Sequence, residues 1–251
     1  MVYFVGAGPG AADLITVRGK KLLEGADLIV YAGSLVNPEL LDFARPGCVK
    51  KNSADMTLEQ VIEAMVPFAR QGKTVVRLHT GDPSVFGAIR EQMDALKSRG
   101  VPFQVVPGVS SFCGAAATLG AEYTLPGVSQ TVILTRLAGR TPVPPRESVR
   151  SLSEHRSSMA VFLSAGMTGR LKEELLAGGY PAETPAAIVY KATWPDEKIV
   201  RGTVARLPEM AEQAGITKTA LILVGGFLGE DYERSRLYDP SFSHGFREKS
   251  V

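Results

Sequence analysis

Short apolar runs recur along this chain, each bounded by turn residues and most followed by a stretch with helical spacing. In the first half they occupy residues 2–5, 28–31, 74–78 and 103–106. A near-continuous apolar run of that length reads as a strand covered on both faces. Strands alternating with helices predict a mostly parallel sheet flanked by helices, so the fold class is α/β. Between the second and third runs, Thr57-Leu58-Glu59-Gln60 predicts a capped helix start, in which the Thr57 hydroxyl and the Gln60 side chain each satisfy an amide of the first turn. Leu58, Val61, Ile62, Met65 and Phe68 then share one helical face. A second helix is predicted over 88–99, with Ile89, Met93 and Leu96 inward and Gly100 ending it.

The stretch Tyr123-Thr124-Leu125-Pro126-Gly127-Val128 interrupts the pattern, because Pro-Gly continues neither a helix nor a strand. Alternation then restarts, with strands expected at 131–134, 159–163, 186–189, 199–202 and 220–224 and helices near 169–177 and 204–214. Two α/β domains are therefore expected, 1–122 and 128–228. Residues 140–146, rich in proline, form an exposed loop between elements of the second. From 229 to 251 the chain is polar and aromatic without a period, which predicts a tail on the surface.

The formal net charge of +2 is too small to make nucleic acid or an anionic membrane the main partner. The 220–224 run is far too short to span a bilayer, and no leader is expected, since the first residues lack a basic region and enter a strand at once. Cys48 and Cys113 belong to no CxxC pair, so neither zinc nor a disulfide is expected and a cytoplasmic location fits.

Three glycine-bearing turns follow strands. The first, Gly6-Ala7-Gly8-Pro9-Gly10-Ala11, is close to a dinucleotide fingerprint, which would support a dinucleotide-dependent oxidoreductase. That fingerprint also needs an acidic residue ending the second strand. Here the second strand ends in Tyr31-Ala32-Gly33-Ser34, Asp27 precedes it, and Pro9 removes an amide where a phosphate wants a donor. A tight turn that needs glycine for its backbone angles reads equally well. The second turn is His79-Thr80-Gly81-Asp82-Pro83-Ser84-Val85, with bare amides, one carboxylate and an apolar side chain, groups that suit a small zwitterion with an apolar part. The third is Pro107-Gly108-Val109-Ser110-Ser111, where Ser110 either caps the next helix or presents a hydroxyl to the ligand of the second turn.

These three turns, in this order, resemble the tetrapyrrole (corrin and porphyrin) methylases that use S-adenosylmethionine. Tyr31-Ala32-Gly33-Ser34-Leu35-Val36-Asn37, Thr135-Arg136-Leu137-Ala138-Gly139-Arg140-Thr141-Pro142 and Lys191-Ala192-Thr193-Trp194-Pro195-Asp196-Glu197 narrow the likeness to the branch acting at carbon 11 of precorrin-4 or its cobalt form in cobalamin synthesis. A sister activity at carbon 17 or 20 is the alternative. One departure is Gly10-Ala11-Ala12-Asp13, where the family often carries a further acid directly after the glycine.

The resemblance implies an active-site cleft between two α/β domains. It implies that S-adenosylmethionine lies along Pro9, against Thr80, Gly81, Asp82 and Val85 and against Ser110 and Ser111, with Ala165 and Ala192 contributed by the second domain. A homodimer is implied as well. No catalytic acid, base or metal site is identified, since a sulfonium donor brings its own leaving group. His79 beside the second turn reads equally as a core polar group. A precorrin carries many carboxylate arms, and Arg136 and Arg140 are the expected cations for them, with Arg18 and Arg146 as weaker candidates.

Overall fold

Five strands make the first sheet of the computed structural model, which describes residues 1–248. They are β1 (Val2–Gly6), β2 (Leu28–Tyr31), β3 (Val49–Asn52), β4 (Val75–His79) and β5 (Phe103–Val106), in the order β3-β2-β4-β1-β5. All are parallel, and Gly6 lies opposite His79 while Val5 lies opposite Val106. The carboxyl ends of β4, β1 and β5 therefore lie level and adjacent, which sets the three glycine turns side by side.

Both faces of this sheet are covered. Val2, Phe4 and Val75 pack with Val61, Ile62 and Met65 of α2 (Leu58–Arg70) and Leu96 of α3 (Ile89–Ser98). Val5, Ile29, Val76 and Leu78 pack on the other side with Leu23 of α1 (Val17–Glu24) and with Leu40. The capping box at Thr57 is formed: the Thr57 amide donates to Gln60 Oε1 at 2.8 Å and the Gln60 amide donates to Thr57 Oγ1 at 3.4 Å. A fourth helix, α4 (Ser111–Leu119), follows the third turn.

The second sheet comprises β6 (Val132–Arg136), β7 (Ser158–Phe162), β8 (Pro185–Tyr190), β9 (Lys198–Thr203) and β10 (Ala220–Val224), in the order β6-β7-β10-β8-β9. Here the expectation of a mostly parallel sheet needs correction, since only β6 and β7 pair in parallel and every other pairing is antiparallel. Connection length explains this. Parallel neighbours need a crossover of a dozen or more residues, whereas β8 reaches β9 through Lys191–Glu197 alone and must turn back. The helices α5 (Val149–Ser153), α6 (Thr168–Ala177) and α7 (Leu207–Gln213) cover one face, burying Leu171, Leu175, Leu207 and Met210 against Met159, Val161, Ile188 and Ile222. Each such leucine contributes roughly 1.5–3 kcal/mol relative to an exposed one.

The chain divides into two compact units. One holds Met1–Ala115 together with Lys191–Glu197, and the other holds Ala116–Tyr190 and Lys198–Val251. The division in the chain thus falls within α4 rather than at Pro126-Gly127. Tyr123 instead belongs to the second unit, where its ring lies 4.8 Å from that of Phe227. No helix among the described residues is long and apolar enough to cross a membrane.

Candidate functional site

Gly6 ends β1, Gly81 and Gly108 lie two residues beyond the ends of β4 and β5, and the backbones of the three nearly touch. A Cβ added at Gly6 would lie 2.5 Å from Gly108 Cα and 2.6 Å from Gly81 O, and one at Gly108 would lie 2.3 Å from Gly81 O. Such approaches exclude any side chain, so glycine is required at these junctions by contact. Gly81 adds a conformational demand, with φ at +59°. Ser110 and Ser111 lie directly over it, 3.5 and 3.4 Å from where its Cβ would be.

The first turn does not present its amides for a dinucleotide phosphate. The Ala7 amide donates to His79 O at 2.7 Å, the Gly8 amide to Gly81 O at 3.3 Å and the Ala11 amide to Thr193 Oγ1 at 3.0 Å. Pro9 has no amide to offer. The Gly81 amide returns the pairing to Gly8 O at 2.8 Å, so the first and second turns are stitched into a short antiparallel bridge.

Asp82 fastens the second turn to the third. Its Oδ2 accepts from the Gly108 amide at 2.8 Å, and its Oδ1 accepts from the Ser84 amide at 2.8 Å and the Ser84 hydroxyl at 2.5 Å. Burial alone would raise this carboxyl, but the Ser84 hydroxyl and the Gly108 and Ser84 amides together hold it below its ordinary value. A carboxylate so engaged is a brace, with remaining lone pairs to offer a ligand. Val85 closes the turn through its amide, which donates to Asp82 O at 3.2 Å, and Thr80 is exposed at the rim.

Pro9 and Ala192 are both buried in the first unit, where a Cβ at Gly10 would lie 2.7 Å from Ala192 O. The first unit thus gathers Pro9, Thr80, Gly81, Asp82, Val85, Ser110 and Ser111, and also Ala192, which was expected from the second domain but lies on the loop that packs with the first. The second unit holds the others: Arg136 ends β6, and Ala165, 6% exposed, follows β7, so both stand at the carboxyl ends of the parallel pair. Ser164 ties those two ends, its hydroxyl accepting from the Leu137 amide at 3.0 Å and donating to Phe162 O at 2.7 Å. Of the two cations expected to meet the carboxylate arms, Arg136 braces its own loop. Its Nη1 donates to Leu137 O and Thr141 O, each at 3.2 Å, and its Nη2 to Pro142 O at 2.8 Å. Arg140 is exposed on that loop, and Arg18 and Arg146 are exposed elsewhere.

His79 is 5% exposed, and its Nε2 has no hydrogen-bond partner among the described residues. Burial, reinforced by the nearby Arg77 cation, pushes its pKa down to about 3, so the imidazole is neutral through the physiological range. Arg77 is itself buried and pushed down to about 10 by desolvation, and it donates to Gln92 Oε1 at 3.0 Å and Val30 O at 3.2 Å. Among the described residues no group of three or more His, Cys, Asp and Glu is arranged to hold a metal ion. A cavity of about 540 Å³ opens beside the first turn, lined by Ala11, Asp13, Lys20, Asn37, Phe43 and Thr193 among others. A larger one of about 850 Å³ lies in the second unit between the 122–130 segment and the tail.

Residues 1–208 match the family of tetrapyrrole (corrin/porphyrin) methylases. The chain belongs to the tetrapyrrole methylase family. It is 53% identical to the cobalt-precorrin-4 C(11)-methyltransferase of Methanocaldococcus jannaschii, over 98% of this chain and 96% of that one. The solved structure of a cobalamin biosynthetic enzyme, a cobalt precorrin-4 methyltransferase, superposes with a TM-score of 0.89 at 49% identity, covering 91% of this chain and 96% of that one. The uroporphyrin-III C-methyltransferase of Thermus thermophilus, solved in complex with S-adenosyl homocysteine, gives a TM-score of 0.74 at 29% identity, covering 90% and 92%. Tetrapyrrole methylases use S-adenosylmethionine, and the donor set here (amides, hydroxyls and one carboxylate, with small residues between) fits that zwitterion.

Sequence reasoning passed over Trp194, Thr193 and Asn37 as structural members of this site. The Trp194 Nε1–H donates to Pro9 O at 3.1 Å and the Asn37 side-chain Nδ2 to Gly10 O at 3.0 Å. A signal existed, since Trp194 is the only tryptophan and lies in a segment that narrowed the family likeness.

Proposed function

We propose that this protein transfers the methyl group of S-adenosylmethionine to carbon 11 of a precorrin-4, with the cobalt form as preferred substrate, in cobalamin biosynthesis. The observation that carries the reading is the 53% identity to a cobalt-precorrin-4 C(11)-methyltransferase over nearly the whole chain. The close superposition on a cobalt precorrin-4 methyltransferase supports it from the fold.

When bound, the donor supplies a methyl group on a cationic sulfur, which departs as a neutral thioether, so the substrate carbon needs alignment more than activation. The chain's residues do the holding. Gly81 and Ser110 bring main chain close enough to pin a ligand, Asp82 keeps the second and third turns together and offers its free lone pairs, and Pro9 and Ala192 supply small apolar contacts. Exclusion of water from the aligned pair adds to the rate. Arg140 is the cation placed to meet a carboxylate arm of the ring, and Arg136 fixes the loop that carries it. The reading extends to a cytoplasmic homodimer, which sedimentation velocity checks.

The test is incubation with S-adenosylmethionine labelled with ¹³C at its methyl group, against cobalt-precorrin-4 and precorrin-4 separately. Carbon NMR of the product should show the label at carbon 11, with faster turnover of the cobalt form. Label at carbon 17 or 20, or no transfer to either macrocycle, would refute the assignment.

A further inference from the structure

The loop Lys191–Glu197 leaves the second sheet after β8 and returns as β9, yet it packs as part of the first unit. There it meets one short segment, the first glycine turn, through several independent contacts. The Trp194 indole lies against the bare Cα of Gly10, where an added Cβ would sit 2.1 Å from Cδ1 and 2.6 Å from Nε1. The same indole donates to Pro9 O, and Thr193 Oγ1 accepts from the Ala11 amide at 3.0 Å. The two residues flanking Gly10 are thus each fixed by one side chain of this loop. Gly114 completes the seat, since a Cβ there would meet Pro9 Cβ at 2.6 Å and Thr193 Cγ2 at 3.5 Å.

The loop is itself held in a shape it would not adopt alone. Lys191 and Thr193 have φ of +47° and +69°, values disfavoured for residues with a Cβ. They stand on either side of Ala192. Local bonds enforce this geometry: the Thr193 amide donates to Glu197 Oε2 at 2.5 Å, and the Glu197 amide to Trp194 O at 3.1 Å. Lys191 pairs with Asp196 at 2.6 Å while its ammonium lies 5.0 Å from the Trp194 ring centroid. Backbone strain retained beside a binding surface, with the surroundings over-determining it, marks a segment whose exact placement matters.

We propose that Trp194 and Thr193 are positioning residues that fix Pro9 relative to Ala192 and thereby set the affinity for the methyl donor. The inference rests on the reading that the glycine turns hold that donor. Neither side chain takes part in the chemistry, so their loss weakens donor binding and spares the transfer step once the donor is saturating.

The experiment compares W194F, T193V and T193S in the full chain. W194F keeps an aromatic ring but loses the N–H aimed at Pro9 O, T193V keeps the shape but loses the acceptor for the Ala11 amide, and T193S keeps the acceptor. Calorimetric titration with S-adenosylhomocysteine should show Kd raised about fivefold in W194F and T193V, the equivalent of one hydrogen bond, and restored to within about twofold in T193S. KM for S-adenosylmethionine should rise in parallel while kcat stays within about twofold, a split that general loosening of the fold would not produce. In the wild type, the fluorescence of Trp194, the sole tryptophan, should shift when the homocysteine compound is added. Hydrogen exchange provides a readout without any ligand: the Ala11 amide should exchange faster in T193V and not in T193S. Unchanged Kd despite faster Ala11 exchange would overturn the proposal, as would unchanged exchange. A wild-type protein that bound no S-adenosylhomocysteine would overturn the donor reading instead, and the exchange comparison would still decide whether the loop holds the turn.

Discussion

Substituting Gly108 by alanine places a methyl group where three strand ends already meet. From the geometry, that carbon would lie 2.3 Å from Gly81 O and 2.7 Å from Gly6 Cα, against about 3.5–4.0 Å for a favourable carbon contact. Both obstacles are main chain, so no rotamer change relieves them, and the turns must separate by about 1 Å. Overpacking of a core costs about 1–3 kcal/mol, and the immobility of these neighbours places the cost at the upper end. Separation also breaks the Gly108 amide's bond to Asp82 Oδ2, worth about a further 1 kcal/mol. A loss near 3–4 kcal/mol should lower Tm by about 6–15 °C in scanning calorimetry for a chain of this size. On the proposed reading that these turns carry its seat, S-adenosylhomocysteine should bind at least about tenfold more weakly. A Gly108→Ala protein that melts within about 2 °C of wild type and binds the ligand equally well would show that the three backbones have room.

Gly169→Ala is the contrasting case. It lies near the start of α6 with nothing within 4 Å of an added Cβ, so the change should stabilise by about 0.5–1 kcal/mol, readable as a raised denaturation midpoint in urea. Asp82→Asn removes one acceptor from a group that serves three donors, and should cost about 1–2 kcal/mol and loosen the Gly108 amide in hydrogen exchange. The pH dependence of that cost follows from the lowered carboxyl. Asp82's contribution is fully present above its unfolded value of about 3.9 and is lost as pH falls through its lower folded one, so wild type and Asp82→Asn should differ equally from pH 5 to 8 and converge only below about pH 4. Convergence already at pH 6 would place the stabilisation elsewhere.

What the sequence made legible depended on whether the signal was local. The capping box at Thr57 and the inward face of α2 follow from residues three and four apart, and both are formed. Strands β1, β2 and β4 were readable because a strand covered on both faces is apolar over most of its length. β3 was missed for the opposite reason: Val49-Lys50-Lys51-Asn52 is an exposed edge strand whose lysines blunt it against further pairing, and so it lacks an apolar pattern. The antiparallel pairings of the second sheet were also missed, because direction is set by connection length and packing rather than by any single run. At the site, the glycines announced that something approached them closely without saying what. For Gly10 the neighbour is Trp194, far along the chain, and for Gly6 and Gly108 it is each other.

On the proposed reading, the interlocked turns let one end of the first sheet meet a charged ligand while few of its charged residues are free to do so. A side chain at Gly6, Gly81 or Gly108 would hold the strand ends apart, so the edge consists largely of main chain whose groups are fixed by their mutual bonds. Asp82 could serve there as a flexible acceptor, but Gly108 and Ser84 hold it in one orientation. In the second unit, Arg136 is likewise bound to the carbonyls of its own loop. Groups fixed in advance lose no freedom on binding, which is where a site gains affinity when the ligand brings its own reactivity. For a sulfonium donor the requirement on the protein is then spatial: the methyl must face one carbon of a large ring. Changes that shift backbone at these turns should therefore alter donor affinity and regiochemistry before they alter the intrinsic ease of transfer. A Gly108→Ala enzyme that retained strict carbon-11 methylation while losing only kcat would contradict that division.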